Sequence, residues 1–94
     1  MIVAVCTLEL EIPHSQSLKD KRRVVKSVLA RVRRDFNVSI AEVDSLDAWQ
    51  FATIGIVCVS SDRDYAHGLL EKAVASIERM RLDAIVADYS IEMW

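Results

Sequence analysis

Apolar residues recur along this chain with two different periods, and the switches between them mark out six elements. From Ile2 to Ile12 one alternate set is wholly apolar, Ile2, Ala4, Cys6, Leu8, Leu10 and Ile12, while the other runs Val3, Val5, Thr7, Glu9, Glu11. A period of two predicts a strand with one buried face, and Pro13 ends it. Ser17 then has the character of an N-cap, with Asp20 three residues on supplying an acid near the positive end of a helix dipole. The helix is predicted from Leu18 to Asp35. Its apolar stripe, Leu18, Val25, Val28, Leu29, Val32 and Phe36, is spaced by threes and fours, so this face lies on a sheet. Asn37 breaks the pattern.

Val38 to Val43 reads as a second strand, followed by the polar loop Asp44-Ser45-Leu46-Asp47 and a third strand from Gln50 to Ser60. In the third strand Ala52, Ile54, Ile56 and Cys58 face the helices, and Phe51, Thr53, Gly55, Val57 and Val59 face away. Asp62 caps a second helix with the stripe Ala66, Leu69, Leu70, Ala73, Ile77 and Met80. Gly68 lies inside it at a cost of about 1 kcal/mol relative to alanine, which points to close packing there. A last strand from Ala84 to Met93 sets Ile85, Ala87, Tyr89 and Ile91 on one face and Val86, Asp88, Ser90 and Glu92 on the other. Right-handed crossovers turn this βαββαβ order into an α+β fold, the ferredoxin-like split βαβ, with two helices on one face of a four-stranded antiparallel sheet.

A length of 94 residues supports a single domain, 1–94, with one core. With 52% hydrophobic and 28% charged residues the composition is that of a folded globular chain. No apolar run reaches the ~20 residues of a membrane span, and the amino terminus lacks the features of a signal peptide, so the expectation is a cytoplasmic protein without a membrane partner. Cys6 and Cys58 sit in aliphatic runs, as buried free thiols do.

Charge changes the picture. Ser17 to Phe36 holds eight basic and two acidic residues, +6, while the remainder of the chain carries −8 to reach the net −2. At 100° per residue Lys19, Arg22, Arg23, Lys26, Arg33 and Arg34 fall within an arc of about 120° beside the apolar stripe. Lys21 and Arg31 flank the core side, where their stems lie over the apolar edge while the charges reach water. A one-sign stripe attracts polyanions, and phosphate oxygens are the natural partners of such an arc. The sequence pI of about 5.6 points the other way, as do the acidic loop residues Asp44, Asp47, Asp62 and Asp64, which could simply balance the helix.

The sheet face without helices is the second feature. Val3, Val5, Phe51, Val57, Val59 and Val86 form an apolar patch on it, with Trp49 and Gln50 at its border; patches of this kind mark partners, and a homodimer through the sheet is the expectation. Mid-strand aromatics of the sort that stack bases on an RNA-recognition sheet are missing, since valine and threonine hold those positions. Catalytic chemistry is thin. His14 and His67 are isolated, the Asp44–Asp47 loop lacks the ligand density of a calcium site, and Gly55 and Gly68 cannot form a phosphate cradle. The expectation is therefore no enzyme, no metal, no cofactor and no small-molecule substrate.

The runs Ser17-Leu18-Lys19-Asp20-Lys21-Arg22-Arg23, Phe36-Asn37-Val38-Ser39-Ile40-Ala41-Glu42-Val43, Asp47-Ala48-Trp49-Gln50 and Ser60-Ser61-Asp62 together resemble the YlxP-like family of small bacterial proteins. The resemblance spans nearly the whole chain and implies a ferredoxin-like domain of unknown function. Genes of that family often lie near those for translation initiation and ribosome-binding factors, which implies a place near ribosome maturation or translation. Lys19, Lys21, Arg22, Arg23, Trp49 and Gln50 are the residues it carries over as candidates. His14-Ser15-Gln16 departs from the smaller, glycine-containing turn expected there. Two function classes follow: an RNA- or ribosome-associated binding module using the basic helix, or a protein-interaction or dimerisation module using the open sheet.

Overall fold

In a computed structural model covering residues 1–94, the chain folds as β1 (Ile2–Glu11), α1 (Leu18–Asp35), β2 (Ser39–Asp44), β3 (Phe51–Ser60), α2 (Arg63–Met80) and β4 (Ile85–Met93). The strands form one antiparallel sheet in the order β2-β3-β1-β4, so the two longest occupy the centre. Both helix starts are capped as the sequence predicts. The Ser17 hydroxyl accepts from the Asp20 N–H at 3.0 Å, and the Asp62 carboxylate accepts from Asp64 and Tyr65. Asp20 in turn reaches back to the Gln16 N–H at 3.0 Å, which fixes the turn that opens α1.

The core lies between the sheet and the two helices. Ala4, Cys6, Leu8 and Leu10 of β1 meet Ala52, Ile54 and Ile56 of β3, under Val25, Val28 and Val32 of α1 and Leu70, Ala73 and Ile77 of α2. One register places every small or aliphatic side chain of the predicted set inside, and the one open-face residue of the central strands that is also buried is Thr53, whose hydroxyl bonds to Glu9. Cys6 and Cys58 are buried free thiols, and burial, with a smaller contribution from Glu71, pushes the Cys6 thiol up to about 11. Such a thiol stays protonated and unreactive at neutral pH.

The edge strands break the alternation, and the reason is a bulge in each. On β4, Glu9 pairs with Asp88 but Leu10 pairs with Val86, which leaves Ala87 as the extra residue. Val86 is thereby turned toward the helices and packs on the core, whereas the alternation predicts it on the open face. Ile85, opposite Glu11, takes the open face instead. On β2 the extra residue is Val43, whose side chain lies over Gly55. A Cβ at Gly55 would stand 3.0 Å from Val43 Cγ1, so the glycine makes room for the bulge. Gly68 behaves in the opposite way to the close packing inferred from its position, because a Cβ there meets nothing within 4 Å.

Candidate functional site

The six arginines and lysines of the predicted arc divide into two groups. Lys19, Arg22, Arg23 and Lys26 are exposed and form no ion pair. Carboxylates near them are already engaged: Asp20 accepts from Gln16, and Asp83 accepts from Arg81 at 2.7 and 2.9 Å, a pairing that holds its carboxyl below the usual range. Arg33 and Arg34 are committed within the chain. Arg33 donates to the Ile40 carbonyl of the edge strand at 2.9 Å, and Arg34 pairs with Asp35 at 2.9 Å. The arc therefore narrows to four cations over about two turns at the positive end of α1. Beside it, a groove of about 350 Å³ between α1 and β2 is lined by Val25 and Leu29, by Arg22, Lys26 and Arg33, and by Glu42, the carboxylate that Lys21 holds.

Lys21 is the departure from expectation. Its side chain is 0% exposed, not lying over an apolar edge with the charge in water. The ammonium donates to Glu42 Oε2 at 2.7 Å, and the carbonyls of Ser45, Leu46 and Phe51 stand at 2.9, 3.1 and 3.4 Å. Glu42 reaches it because its side chain is on the helix side of β2, just before the Val43 bulge. Ser45 supplies its carbonyl from a left-handed backbone, φ 60°, the conformation that aims the loop back at α1. Gln50 has a parallel role. Its side-chain amide donates to the Pro13 and Ser15 carbonyls at 3.3 and 3.2 Å, while its own carbonyl accepts from the Ile12 N–H at 2.7 Å.

The open sheet face has two unlike ends. At one end Val3, Val5, Val57 and Val59 lie together, and the two-way pairing of Val3 with Trp94 adds that indole, 69% exposed, to the same side. Sequence reasoning missed Trp94; the period of two that sets Asp88, Ser90 and Glu92 on one face, carried two residues further, is the signal that would have placed it. At the other end Phe51 borders a depression of about 480 Å³ lined by Glu9, Glu11 and Asp88. Glu9 is held there by the Thr53 hydroxyl at 3.0 and 3.1 Å. Val86 is absent from this face, as the β4 bulge requires. Trp49 stands apart on the β2–β3 loop, 54% exposed.

Residues 3–91 match the family model described as Protein of unknown function (DUF503). The chain belongs to the DUF503 family. It is also 45% identical over 62 residues to the Bacillus subtilis (strain 168) protein called Uncharacterized protein YlxP, a match covering 66% of this chain and 67% of that one. Among solved structures, the de novo designed protein LFR1 1 with ferredoxin fold is similar at a TM-score of 0.56 and 16% identity, over 100% of this chain and 84% of that one. The de novo designed protein Foldit4 is similar at 0.53 and 17%, over 100% and 97%. These likenesses establish the ferredoxin-like fold. Within this DUF503 chain, the motif residues carried over by resemblance divide by role: Lys21 and Gln50 tie loops to the fold, whereas Lys19, Arg22, Arg23 and Trp49 stay at the surface. No His, Cys, Asp and Glu side chains gather in a group that could hold a metal ion, and no helix is long and apolar enough to cross a membrane.

Proposed function

We propose that this chain is a non-enzymatic, ribosome-associated RNA-binding module that grips the phosphate backbone with Lys19, Arg22, Arg23 and Lys26. The observation that carries the reading is the exposure of four unpaired cations within two turns of α1, on a chain whose remaining residues are acidic in sum. Stability alone favours acids, not cations, in the first turn of a helix, because the macrodipole is positive there. Lys19 stands against that preference and adds to the positive field, which suits an anionic partner. The −8 carried elsewhere is consistent with this asymmetry, since it leaves α1 as the element with the largest positive excess. The gene neighbourhood implied by the family resemblance points in the same direction.

The test is binding to ribosomal subunits and structured RNA across a salt series, for wild type and for Arg22→Glu/Arg23→Glu/Lys26→Glu. Four phosphate contacts predict that log affinity falls with log salt at a slope of roughly −3 to −4. The reversed variant should lose the salt-sensitive signal. A wild type that binds nothing at low salt removes the reading.

The apolar band Val3, Val5, Val57, Val59 and Trp94 supports a second contact, with another copy of the chain. A patch across β1 and β3, extended by the residue that follows β4, can meet its own copy about a twofold axis, and α1 then points outward from both subunits, doubling the basic surface. Sedimentation should show a dimer that Val57→Asp or Val5→Asp converts to monomer; a wild type monomeric at every concentration removes this contact.

A further inference from the structure

The segment Ser45–Gln50 between β2 and β3 is bound at both ends to the region that opens α1. Lys21 holds the carbonyls of Ser45 and Leu46, and the Ala48 N–H closes a turn onto the same Ser45 carbonyl at 3.1 Å. On the other side Gln50 bonds to Ile12, Pro13 and Ser15, the residues leading into the Ser17 cap. Trp49 lies between these two anchorages. A loop this firmly tied could bury its indole against the sheet or helix, yet the side chain remains 54% exposed. Its backbone is fixed next to the end of α1 that carries the unpaired cations.

We infer that Trp49 is a base-stacking platform working with the α1 cations, so that the ligand is an unpaired stretch of RNA: phosphates lie on Lys19, Arg22, Arg23 and Lys26, and one base lies on the indole. The inference rests on the phosphate-binding reading and narrows its ligand. Paired bases inside a duplex are closed to a side chain, whereas the bases of loops and single strands can splay out and stack on an aromatic. A ring held on a rigid loop loses little freedom when a base covers it. Cation and aromatic side by side are what sequence-tolerant single-strand binding uses.

The experiment uses the full chain with Trp94→Phe, which leaves Trp49 as the sole indole. An unstructured RNA of about 10 nucleotides, within the range one small binding surface takes, is titrated at low salt against the same sequence as a duplex. Expected are quenching of the indole by the single strand and tighter binding of it than of the duplex. Trp49→Ala should weaken single-strand binding by about 5- to 150-fold, the range for one stacked base, and leave the duplex and the salt slope unchanged. Trp49→Phe should restore most of the affinity. An unquenched indole with Trp49→Ala binding as wild type overturns the inference while the phosphate reading stands. An equal loss for both RNAs also overturns it and assigns Trp49 to shaping the loop. Absence of salt-sensitive binding by wild type to any RNA sinks the phosphate reading itself, and the inference with it.

Discussion

Lys21 and Arg22 are neighbours on α1 and end in opposite surroundings. The Lys21 ammonium is enclosed by one carboxylate oxygen and three carbonyls and is closed off from water, while Arg22 and the next residue, Arg23, are exposed without a partner. A lysine ammonium is a compact charge with three donors, so four oxygens at 2.7 to 3.4 Å satisfy it fully. The basic character of α1 therefore has two origins. One cation ties the β2–β3 loop to the helix and is enclosed in the fold, whereas Lys19, Arg22, Arg23 and Lys26 project a field outward. Counting the charges on the helix does not separate these roles, because only the oxygens supplied by other elements do.

The sharpest way to break the contrast is Lys21→Met, which keeps the apolar stem and removes the charge. Glu42, only 14% exposed, then loses its counter-charge, and three carbonyls lose their donor. Removing one member of such a pair costs about 3 to 5 kcal/mol, which for a domain of this size lowers the melting temperature by roughly 12 °C or more. Urea or thermal unfolding reads this directly. A loss below about 1 kcal/mol would mean that the cage contributes little, and Lys21 would then differ from Arg22 in position alone. Lys21→Arg should not rescue stability, since the planar fork does not fit a cage built around a point charge. Glu42→Gln is milder. It keeps an acceptor for Lys21 and removes the charge, so the expected loss is about 1 to 2 kcal/mol. In Lys21→Met and in Glu42→Gln the amides of the β2–β3 loop should exchange hydrogen faster while those of α2 do not.

Most of the fold was legible in the sequence because β1 alternates, β3 is a long apolar run without a breaker, and both helices begin at a capping side chain. The edges were not. Nothing in Ile85-Val86-Ala87-Asp88 announces that Ala87 is extra, and that single residue moves Val86 from the open face to the core and Ile85 the other way. The candidate site was legible in outline through Lys19, Arg22, Arg23 and Lys26. Arg33 and Arg34 looked equivalent to them on a helical wheel, and only the proximity of the Ile40 carbonyl and Asp35 sets them apart. Lys21 did carry a signal. It precedes Val25, Val28 and Val32 by four, seven and eleven residues, which puts it on the buried stripe itself. A lysine there needs oxygens from elsewhere, and Glu42 with the adjoining loop was the nearest source.

Gly68→Ala sharpens the comparison as a control. It lies on α2, not on the helix that carries the cations and Lys21, and a methyl group there has open space around it. The helix should gain about 1 kcal/mol from the propensity difference alone. RNA binding should stay as it is in wild type, which would show that stability and binding vary independently in this chain. A destabilised Gly68→Ala would indicate a contact at α2 that the isolated chain does not contain, such as a second copy.

Lys19→Glu is the smallest of these changes and the one that separates the two origins of charge within a single residue. Lys19 lies in the first turn of α1, where an acid interacts favourably with the helix dipole, and a glutamate there also stands four residues before Arg23, the better orientation for a helical ion pair. The fold should therefore gain about 0.5 to 1 kcal/mol. Binding should move the other way, because one phosphate contact is lost and Arg23 acquires a partner within the chain that competes for the phosphate. The salt slope should become shallower by about 1 to 2, more than one cation accounts for. Increased stability with weakened binding identifies Lys19 as a residue retained for its partner at the expense of the helix. Reduced stability with unchanged binding would place it beside Lys21, among the cations that serve the fold.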